Sequence, residues 1–180
     1  MALDRTALQA LAEQHLATEN GGDVDAVMRT VSDDGAHYHV VPLGVSLRTR
    51  SEIEAFYRDF MGALPDLRLE VDDVMVDEER RRVAVEHRLT ATHRGWLWGL
   101  APTHRRLGMR VIVIYEFAPD GALTREVSYF DKTEMLESLG LVFSTRTTLG
   151  RLLLCVARNP LYAARCAWGT LRRSNGARTE

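Results

Sequence analysis

Two ionisable side chains in the middle of the chain are of types that could move a proton. Asp131 lies where an alternating strand, Leu123–Phe130, passes into a short helix that stops at Gly140. A carboxylate at such a join can cap the helix, form an ion pair, or act as a general acid or base if it faces a pocket. His93 ends another alternating segment, and it can orient a substrate carbonyl, stabilise an enolate or anchor a loop.

Removing a proton next to a carbonyl requires a base whose pKa is near the working pH and that is held close to the substrate. An apolar environment raises the pKa of a carboxyl group, because burial disfavours its charged form. By strand parity Asp131 shares a face with Val127 and Tyr129, so we expect apolar and phenolic neighbours for it. We expect the other strands to supply no second inward-facing acid. The predicted catalytic residues are therefore Asp131 and His93.

The ligand is expected to contact side chains of the first and third helices, of the strands and of a loop at 95–103 that is rich in Gly, Trp and Pro. Trp96 and Trp98 flank this loop, and aromatic side chains there either suit a flat ring system or pack under the loop. His15 lies on the apolar face of a helix, where it is either a core histidine or a ligand contact. The predicted substrate-binding residues are His15, Tyr38, His39, Tyr57, Met61, Trp96, Met109, Val111, Val113 and Tyr129.

Histidines on neighbouring strands raise the question of a metal. His37 and His39 share one strand face, and His87 or His93 could join them. A strand His-x-His pair without a nearby acid is typical of hydrogen-bonded surface residues, since metal sites need convergent ligands. We therefore predict no metal site.

The hydrophobic period indicates three helices followed by a run of long strands. Leu8, Ala12, His15 and Leu16 follow a helical period, and Ser51 to Glu54 matches a capping box that opens a third helix. After Pro65 the period changes to two. This order predicts an α+β fold in which a curved antiparallel sheet wraps around the N-terminal helices.

Composition excludes several classes of protein. The chain has 180 residues, 46% hydrophobic and 27% charged, with a formal net charge of −2, which argues against general nucleic-acid binding. Its two cysteines, Cys155 and Cys166, have neither disulfide-framework nor zinc spacing, so a reducing, cytoplasmic location is expected. No signal peptide and no apolar run of roughly 18 residues is evident.

Charge divides the chain into a body, 1–140, and an extension, 141–180. Seven arginines and one glutamate give the extension a charge of +6, which leaves −8 for the body. Two amphipathic helices broken at Asn159-Pro160 are predicted within the extension. These helices could dock on the acidic body, form a homodimer, or lie on a membrane surface through 145–173. Docking or a homodimer is favoured, because Pro160 interrupts the apolar stripe and the body has the opposite charge.

Four short segments follow one another along the chain: Pro65 to Arg68, Thr90 to Gly95, Gly99 to Arg106 and Phe130 to Gly140. They resemble motifs of one family, the SnoaL-like polyketide cyclase family of the nuclear-transport-factor-2-like superfamily. Pro65 to Arg68 resembles its Pro-Asp-Leu signature, and Thr90 to Gly95 is similar to its Gly-Thr-His-x-Gly motif. Gly99 to Arg106 is similar to its Gly-x-Pro-Pro-Thr-Gly-Arg loop, and Phe130 to Gly140 resembles its closing segment. The resemblance covers residues 1 to 140 and implies a cone-shaped α+β fold that encloses one pocket.

Members of that family close a ring on a polyketide by an intramolecular aldol reaction, with an aspartate as general acid and base and with no metal or cofactor. The resemblance assigns this role to Asp131. Family sequences often carry a second acid three residues earlier, where this chain has Ser128. The ketosteroid isomerases share the fold, but their base and their oxyanion-stabilising acid fall near Val40 and Val113. Valine can do neither task, so steroid isomerisation by that mechanism is excluded.

Two hypotheses of function follow from the sequence. The first is a cofactor-independent cyclase or isomerase that acts on a small hydrophobic ring compound with a carbonyl group. The second is a non-catalytic member of the same fold that binds an apolar ligand or serves as an interaction module. The position of Asp131 and of any other acid relative to the pocket distinguishes them.

Overall fold

A computed structural model describes residues 3–144, 147–151, 153 and 160 of the chain. Its contacts divide the chain into two units, Met1–Leu139 and Gly140–Glu180. The elements of the first unit are α1 (Arg5–Gly21), α2 (Val24–Thr30), β1 (His37–Val40), a 3-10 turn (Val41–Leu43), β2 (Val45–Leu47), α3 (Arg50–Ala63), β3 (Arg68–Asp77), β4 (Arg82–Thr92), β5 (Arg106–Phe117), β6 (Leu123–Phe130) and α4 (Lys132–Ser138).

The strands form one six-stranded sheet in the order β2-β1-β6-β5-β4-β3. The β1–β6 pair is parallel and the other neighbours are antiparallel. β3, β4 and β5 are the longest strands, and alternate residues of β4 and β5 are buried in the core. The predicted α+β class, with helices on a curved sheet, is confirmed; the sheet is antiparallel as predicted except for the β1–β6 pair.

Helix α1 brings polar side chains to the inner face of the sheet. The Asp4 carboxylate caps the helix by accepting from the Ala7 N–H at 2.8 Å, and the helix ends at Gly22 in the left-handed conformation. Near its end the Asn20 side chain donates to the Leu69 carbonyl at 3.0 Å and accepts from the Leu69 N–H at 2.7 Å. These bonds fix the end of α1 against β3, with the helix residues Leu8, Ala12, His15, Leu16 and Glu19 buried.

The capping box of α3 lies two residues before the predicted one. Thr49, not Ser51, caps the helix: its hydroxyl accepts from the Glu52 N–H at 3.2 Å, and the Glu52 carboxylate accepts from the Thr49 N–H at 3.0 Å. Glu52 also accepts from the Arg48 N–H at 2.7 Å, which holds its side chain on this turn. The helix so begun buries Tyr57.

Strand β6 contains a bulge at its start. Phe117 pairs with Leu123 and Glu116 pairs with Arg125, so Thr124 is an extra residue on β6. A bulge shifts the alternation of side chains by one position. From Arg125 onward, the residues of β6 that face the core are therefore the even-numbered ones.

In the second unit, residues 148–151 form a helical turn in which Gly150 N–H donates to the Thr147 hydroxyl at 3.0 Å. Asn159, at the predicted break, and most of the two predicted tail helices lie outside the described residues. None of the helices in the described ranges is long and apolar enough to cross a membrane.

Candidate active site

A pocket of about 70 Å³ lies on the inner face of the sheet, between β4, β5, β6 and α3. Its wall is mainly apolar. The aliphatic residues are Val40, Leu89, Met109, Val111 and Val113; the aromatic residues are Phe56, Tyr57, Phe60, Trp98, Tyr115 and Phe130. Four further side chains bring polar atoms to this wall: Glu19, His87, Glu126 and Ser128. An apolar cavity with a few convergent polar groups is the usual form of a small-molecule site.

One side of the pocket is a stack of parallel aromatic rings. The Trp98 ring lies 5.3 Å from the Phe56 ring at an interplanar angle of 16°, and 5.9 Å from the Phe60 ring at 8°. Trp98 belongs to a tight turn in which Leu97 and Leu100 exchange backbone hydrogen bonds at 3.0 and 2.9 Å. The turn thus carries one aromatic ring onto two others from α3, and leaves a flat apolar surface for a ligand.

Two carboxylates meet at the pocket wall. Glu19 comes from the last turn of α1 and is 7% exposed; Glu126 comes from β6 and is 9% exposed. The bulge at Thr124 is what turns Glu126 inward, since uninterrupted alternation from the buried Leu123 would point it outward. Buried carboxylates are rare unless they are paired, and both of these contact a histidine.

The imidazole ring of His15 contacts both carboxylates through one nitrogen atom. Its Nε2 atom lies 3.5 Å from Glu19 Oε1 and 3.6 Å from Glu126 Oε2. Its Nδ1 atom lies 2.6 Å from the Thr30 hydroxyl, which itself donates to the Val27 carbonyl at 2.7 Å. Because that hydroxyl has only one hydrogen, Nδ1 must donate to it, and a second proton on Nε2 makes His15 a cation.

The Tyr57 hydroxyl completes the cluster. It donates to Glu19 Oε1 at 2.7 Å and lies 3.2 Å from Glu126 Oε2. The other oxygen of Glu126, Oε1, accepts from the Ser128 hydroxyl at 3.0 Å. Tyr57 therefore gives its proton chiefly to Glu19, and when Glu126 is protonated its O–H can donate to the Tyr57 oxygen.

The cluster separates the acidities of its members. Burial acts to lower the pKa of His15, but hydrogen bonds to Glu126 and Glu19 outweigh it and raise that pKa to about 9. Burial also opposes the ionisation of Glu19, yet its contact with His15 leaves the pKa below the ordinary value. Burial raises the pKa of Glu126, and the negative charge of Glu19 raises it further. Of the two carboxyl groups, Glu19 is thus the stronger acid and Glu126 the one that holds a proton to higher pH.

The same cluster is where a cation would find ligands in the described part of the chain. The ligand atoms of His15, Glu19 and Glu126 all lie within 4.8 Å of one another. A metal ion there would have to displace the proton from His15 Nε2, whose raised pKa favours keeping it. The hydrogen bonds account for this geometry with a proton in that place.

His87 is the fourth polar residue of the wall. Its ring is 4% exposed, and its Nδ1 atom is buried without a hydrogen-bond partner. Burial lowers the pKa of His87, and the nearby charge of Glu19 only partly offsets this. The ring is therefore a neutral imidazole at ordinary pH.

Asp131 lies outside the pocket, in contrast to the predicted position. It is exposed and is the N-cap of α4, where its Oδ1 accepts from the N–H groups of Thr133 at 2.7 Å and Glu134 at 3.2 Å. Tyr129, which was expected beside it in the pocket, is 44% exposed. Both displacements have one cause, the shift of alternation in β6.

His93 anchors a loop and does not line the pocket. Its Nδ1 accepts from the Thr103 N–H at 3.2 Å, while its backbone pairs with Arg105 at 3.0 Å and His104 at 2.9 Å. Burial lowers its pKa, so the ring is neutral. These contacts hold the two ends of the loop that carries Trp98.

The predicted substrate-binding residues divide into two groups. Tyr57, Met109, Val111 and Val113 line the pocket. The others do not. His15 lies beneath the carboxylates, Tyr38 is buried behind Tyr57 with ring centres 6.1 Å apart, and Trp96 is 68% exposed. His39 points to the outer side of β1, as the burial pattern of that strand indicates, and Met61 lines a separate groove at the end of α3.

The expectation that no second acid faces inward was wrong. Glu126 was hidden because no sequence pattern marks the bulge. Glu19 could have been found, since it follows His15 by four residues and so lies on the same buried face of α1. His87 was weighed only as a metal ligand, although its position between Val85 and Leu89 on the apolar face of β4 points it to the pocket.

Comparisons with known proteins agree with this fold. The sequence model of a family described as SnoaL-like polyketide cyclase matches residues 7–139. The search of curated proteins gave no match. Among solved structures, AclR from Streptomyces galilaeus is similar with a TM-score of 0.66 and 24% identity, over 77% of this chain and 99% of its own. TsrD from Streptomyces laurentii is similar with a TM-score of 0.66 and 23% identity, over 78% of this chain and 99% of its own. IdmH from Streptomyces antibioticus is similar with a TM-score of 0.61 and 20% identity, over 74% of this chain and 98% of its own.

Proposed function

The chain belongs to the SnoaL-like polyketide cyclase family, and from this we propose that it is a cofactor-independent cyclase or isomerase whose general acid and base is Glu126. The substrate is a hydrophobic ring compound with a carbonyl group. The observation that carries the proposal is the position of Glu126: a buried carboxylate with a raised pKa at the wall of an apolar pocket. Such a group accepts protons near neutral pH better than an exposed one.

In the proposed reaction the substrate ring lies against Trp98, Phe56 and Phe60. The ionised Glu126 removes a proton from the carbon next to the carbonyl, and the electron pair of the C–H bond moves into an enolate. The enolate carbon then attacks a second carbonyl of the same molecule, or takes a proton at another position. Protonated Glu126 returns its proton to the product oxygen or carbon, so that the enzyme ends in its starting state.

His15, Glu19 and Tyr57 prepare Glu126 for this exchange. The cation of His15 and the anion of Glu19 offset each other, which keeps the net charge beside Glu126 small. The cluster is therefore neutral when Glu126 is protonated and carries one negative charge when it is ionised, and burial of this charge is what raises the pKa of Glu126. The Tyr57 hydroxyl and the Ser128 hydroxyl fix its two oxygens. In this arrangement His15 and Glu19 are positioning residues and Glu126 is the catalytic one.

Exchange of the α-proton tests the proposal without knowledge of the natural substrate. The probe is 2-tetralone, a flat bicyclic ketone with acidic protons next to its carbonyl, incubated with the protein in heavy water. We expect the wild type to accelerate deuterium incorporation, measured by proton NMR. Glu126→Gln should lower this rate about 10²- to 10⁴-fold, the usual contribution of a general base. The substitution keeps the shape and the hydrogen-bonding ability of the side chain.

Asp131→Asn is the matched control, because asparagine caps helices about as well as aspartate. This variant should keep the wild-type exchange rate. Loss of exchange in Asp131→Asn with exchange retained in Glu126→Gln would return the catalytic role to Asp131. If 2-tetralone binds but no variant and no wild-type sample exchanges deuterium, the non-catalytic ligand-binding hypothesis is favoured instead.

A further inference from the structure

Two polar atoms on the pocket wall are buried without a hydrogen-bond partner. They are Nδ1 of His87 and the indole Nε1 of Trp98, and both residues line the same pocket. Among the described residues only four side-chain atoms share this property, the others being Tyr38 Oη and His93 Nε2. Buried polar groups in proteins are nearly always paired. Two exceptions in one small cavity therefore indicate partners supplied by a ligand.

The neighbouring strands place no hydrogen-bonding side chain directly opposite His87. Its cross-strand neighbours are Val71 on β3 and Val111 on β5, both aliphatic. Glu19 is the acidic side chain of the wall whose charge acts on His87, but no hydrogen bond joins the two. A neutral imidazole in this position can donate to a carbonyl oxygen or accept from a hydroxyl group.

Trp98 is held in place with its N–H unpaired. Its backbone has φ +48°, a left-handed conformation that bulky side chains seldom adopt. The strained turn is stabilised by the stacking of its ring on Phe56 and Phe60. An indole nitrogen can only donate, so the missing partner of Trp98 must be an acceptor.

We propose that His87 and Trp98 together bind an oxygen atom of the ligand, and so select ring compounds with a carbonyl or similar acceptor over pure hydrocarbons. This inference rests on the proposed function in using the same pocket, but it concerns binding and does not require Glu126. In the reaction, the bound oxygen is the one that gains negative charge when the neighbouring proton leaves. Two neutral N–H donors then stabilise the enolate without competing with Glu126 for the proton.

The test compares 2-tetralone with tetralin, which has the same bicyclic skeleton without the oxygen. Dissociation constants are measured by equilibrium dialysis against the full chain. We expect the wild type to prefer 2-tetralone, and His87→Phe to lower the preference about 3- to 10-fold while tetralin binds within about 2-fold as before. Trp98→Phe keeps an aromatic ring for stacking but removes the donor, and it should lower the preference in the same way. His39→Phe, on the outer side of β1, is the control and should change nothing.

A second measurement needs no variant. The carbonyl carbon of ¹³C-labelled 2-tetralone should shift downfield on binding to the wild type, as expected for an oxygen that accepts hydrogen bonds. Equal affinity for 2-tetralone and tetralin, failure of both to bind, or a carbonyl shift like that in a hydrocarbon solvent would each overturn the proposal. Glu126→Gln should retain the preference for 2-tetralone. If Glu126→Gln loses deuterium exchange but still prefers 2-tetralone, the role of Glu126 is supported. Loss of the preference for 2-tetralone in His87→Phe bears only on the proposed oxygen site.

Discussion

Glu19 and Glu126 contact the same imidazole, yet their environments give them opposite acidities. Glu19 lies 3.5 Å from His15 and accepts the Tyr57 proton, and its pKa is lowered. Glu126 has a 3.6 Å contact with His15 and a 3.2 Å contact with Tyr57, and its pKa is raised. Separation of acidities between neighbouring carboxyl groups is a known way to divide the roles of anion and proton carrier. In this cluster the division comes from burial and from the charge of Glu19, which both raise the pKa of Glu126, and from the His15 contact that lowers the pKa of Glu19.

The protonation of His15 should make stability depend on pH. Its pKa rises from 6.5 to about 9 on folding, so its contribution is fully present below pH 6.5 and is lost as the pH rises through about 9. We expect the free energy of unfolding, measured with urea, to fall by up to about 3 kcal/mol between pH 6.5 and 9.5. His39→Asn should show the same fall. His15→Asn should have a smaller free energy of unfolding at pH 6.5, and this free energy should change little as the pH rises further. A fall with pH as steep as that of the wild type would contradict the assignment of His15 as a cation.

Among the elements, the loop after β4 depends on a close approach of two backbones. The N–H groups of Arg94 and Gly95 both donate to the Ala63 carbonyl, at 2.9 and 3.1 Å. A Cβ atom on Gly95 would lie 2.8 Å from the Gly62 carbonyl oxygen and 2.9 Å from Ala63 Cα. The glycine therefore allows the loop to dock on the end of α3, next to Phe60 and the ring of Trp98.

Gly95→Ala should consequently destabilise the protein by about 1–3 kcal/mol, the usual cost of overpacking. Because the loop carries Trp98, binding of 2-tetralone should weaken as well. Gly62→Ala is a matched control, since a Cβ there meets nothing within 4 Å, and it should be neutral or slightly stabilising. Thermal unfolding followed by circular dichroism measures both variants, and equal melting temperatures would show that the close approach is unimportant.

Elements with a strong period were predicted from the sequence, and features that interrupt a period were not. The apolar stripe of α1 and the alternation of β4 and β5 indicate their buried faces directly. The three-residue strand β2 has too few positions to show a pattern. In β6, Val127 and Tyr129 suggest an inward odd-numbered face, but the bulge reverses it and leaves Tyr129 outside. The presence of a pocket on this face of the sheet was thus predictable from the sequence, whereas the inward orientation of Glu126 was not.

On the scale of the whole molecule, the first unit contains its own hydrophobic core. The core residues extend from Leu8 to Leu139, and the matched family segment ends at the same residue. Exposed apolar side chains also occur on the outer face of the sheet, where Ile112 and Tyr129 are cross-strand neighbours that are 42% and 44% exposed. A homodimer remains the expectation for this chain, and the extension or this face could form it.

Truncation after residue 140 separates these possibilities. We expect residues 1–140 to fold with nearly the melting temperature of the full chain, since they hold the core. Sedimentation velocity should show a dimer in the full chain; a dimer that persists after truncation assigns the contact to the body, and a monomer assigns it to the extension. Flotation with anionic liposomes completes the comparison, because equal flotation of both proteins would remove the proposed membrane role of 145–173. An unfolded truncation product would contradict the autonomy of the body.

The bulge at Thr124 gives β6 two possible inner surfaces that differ by a slip of one residue in its pairing with β5. With Thr124 as the extra residue, the strand offers the pocket a carboxylate, a hydroxyl and a phenyl ring from Glu126, Ser128 and Phe130. Deletion of Thr124 would remove the bulge and keep these three side chains inward, because Leu123, Arg125 and Glu126 would then alternate. If Thr124 instead paired with Glu116, Arg125, Val127 and Tyr129 would turn inward in their place. The chemical character of the cavity is therefore controlled by strand register as much as by side-chain identity.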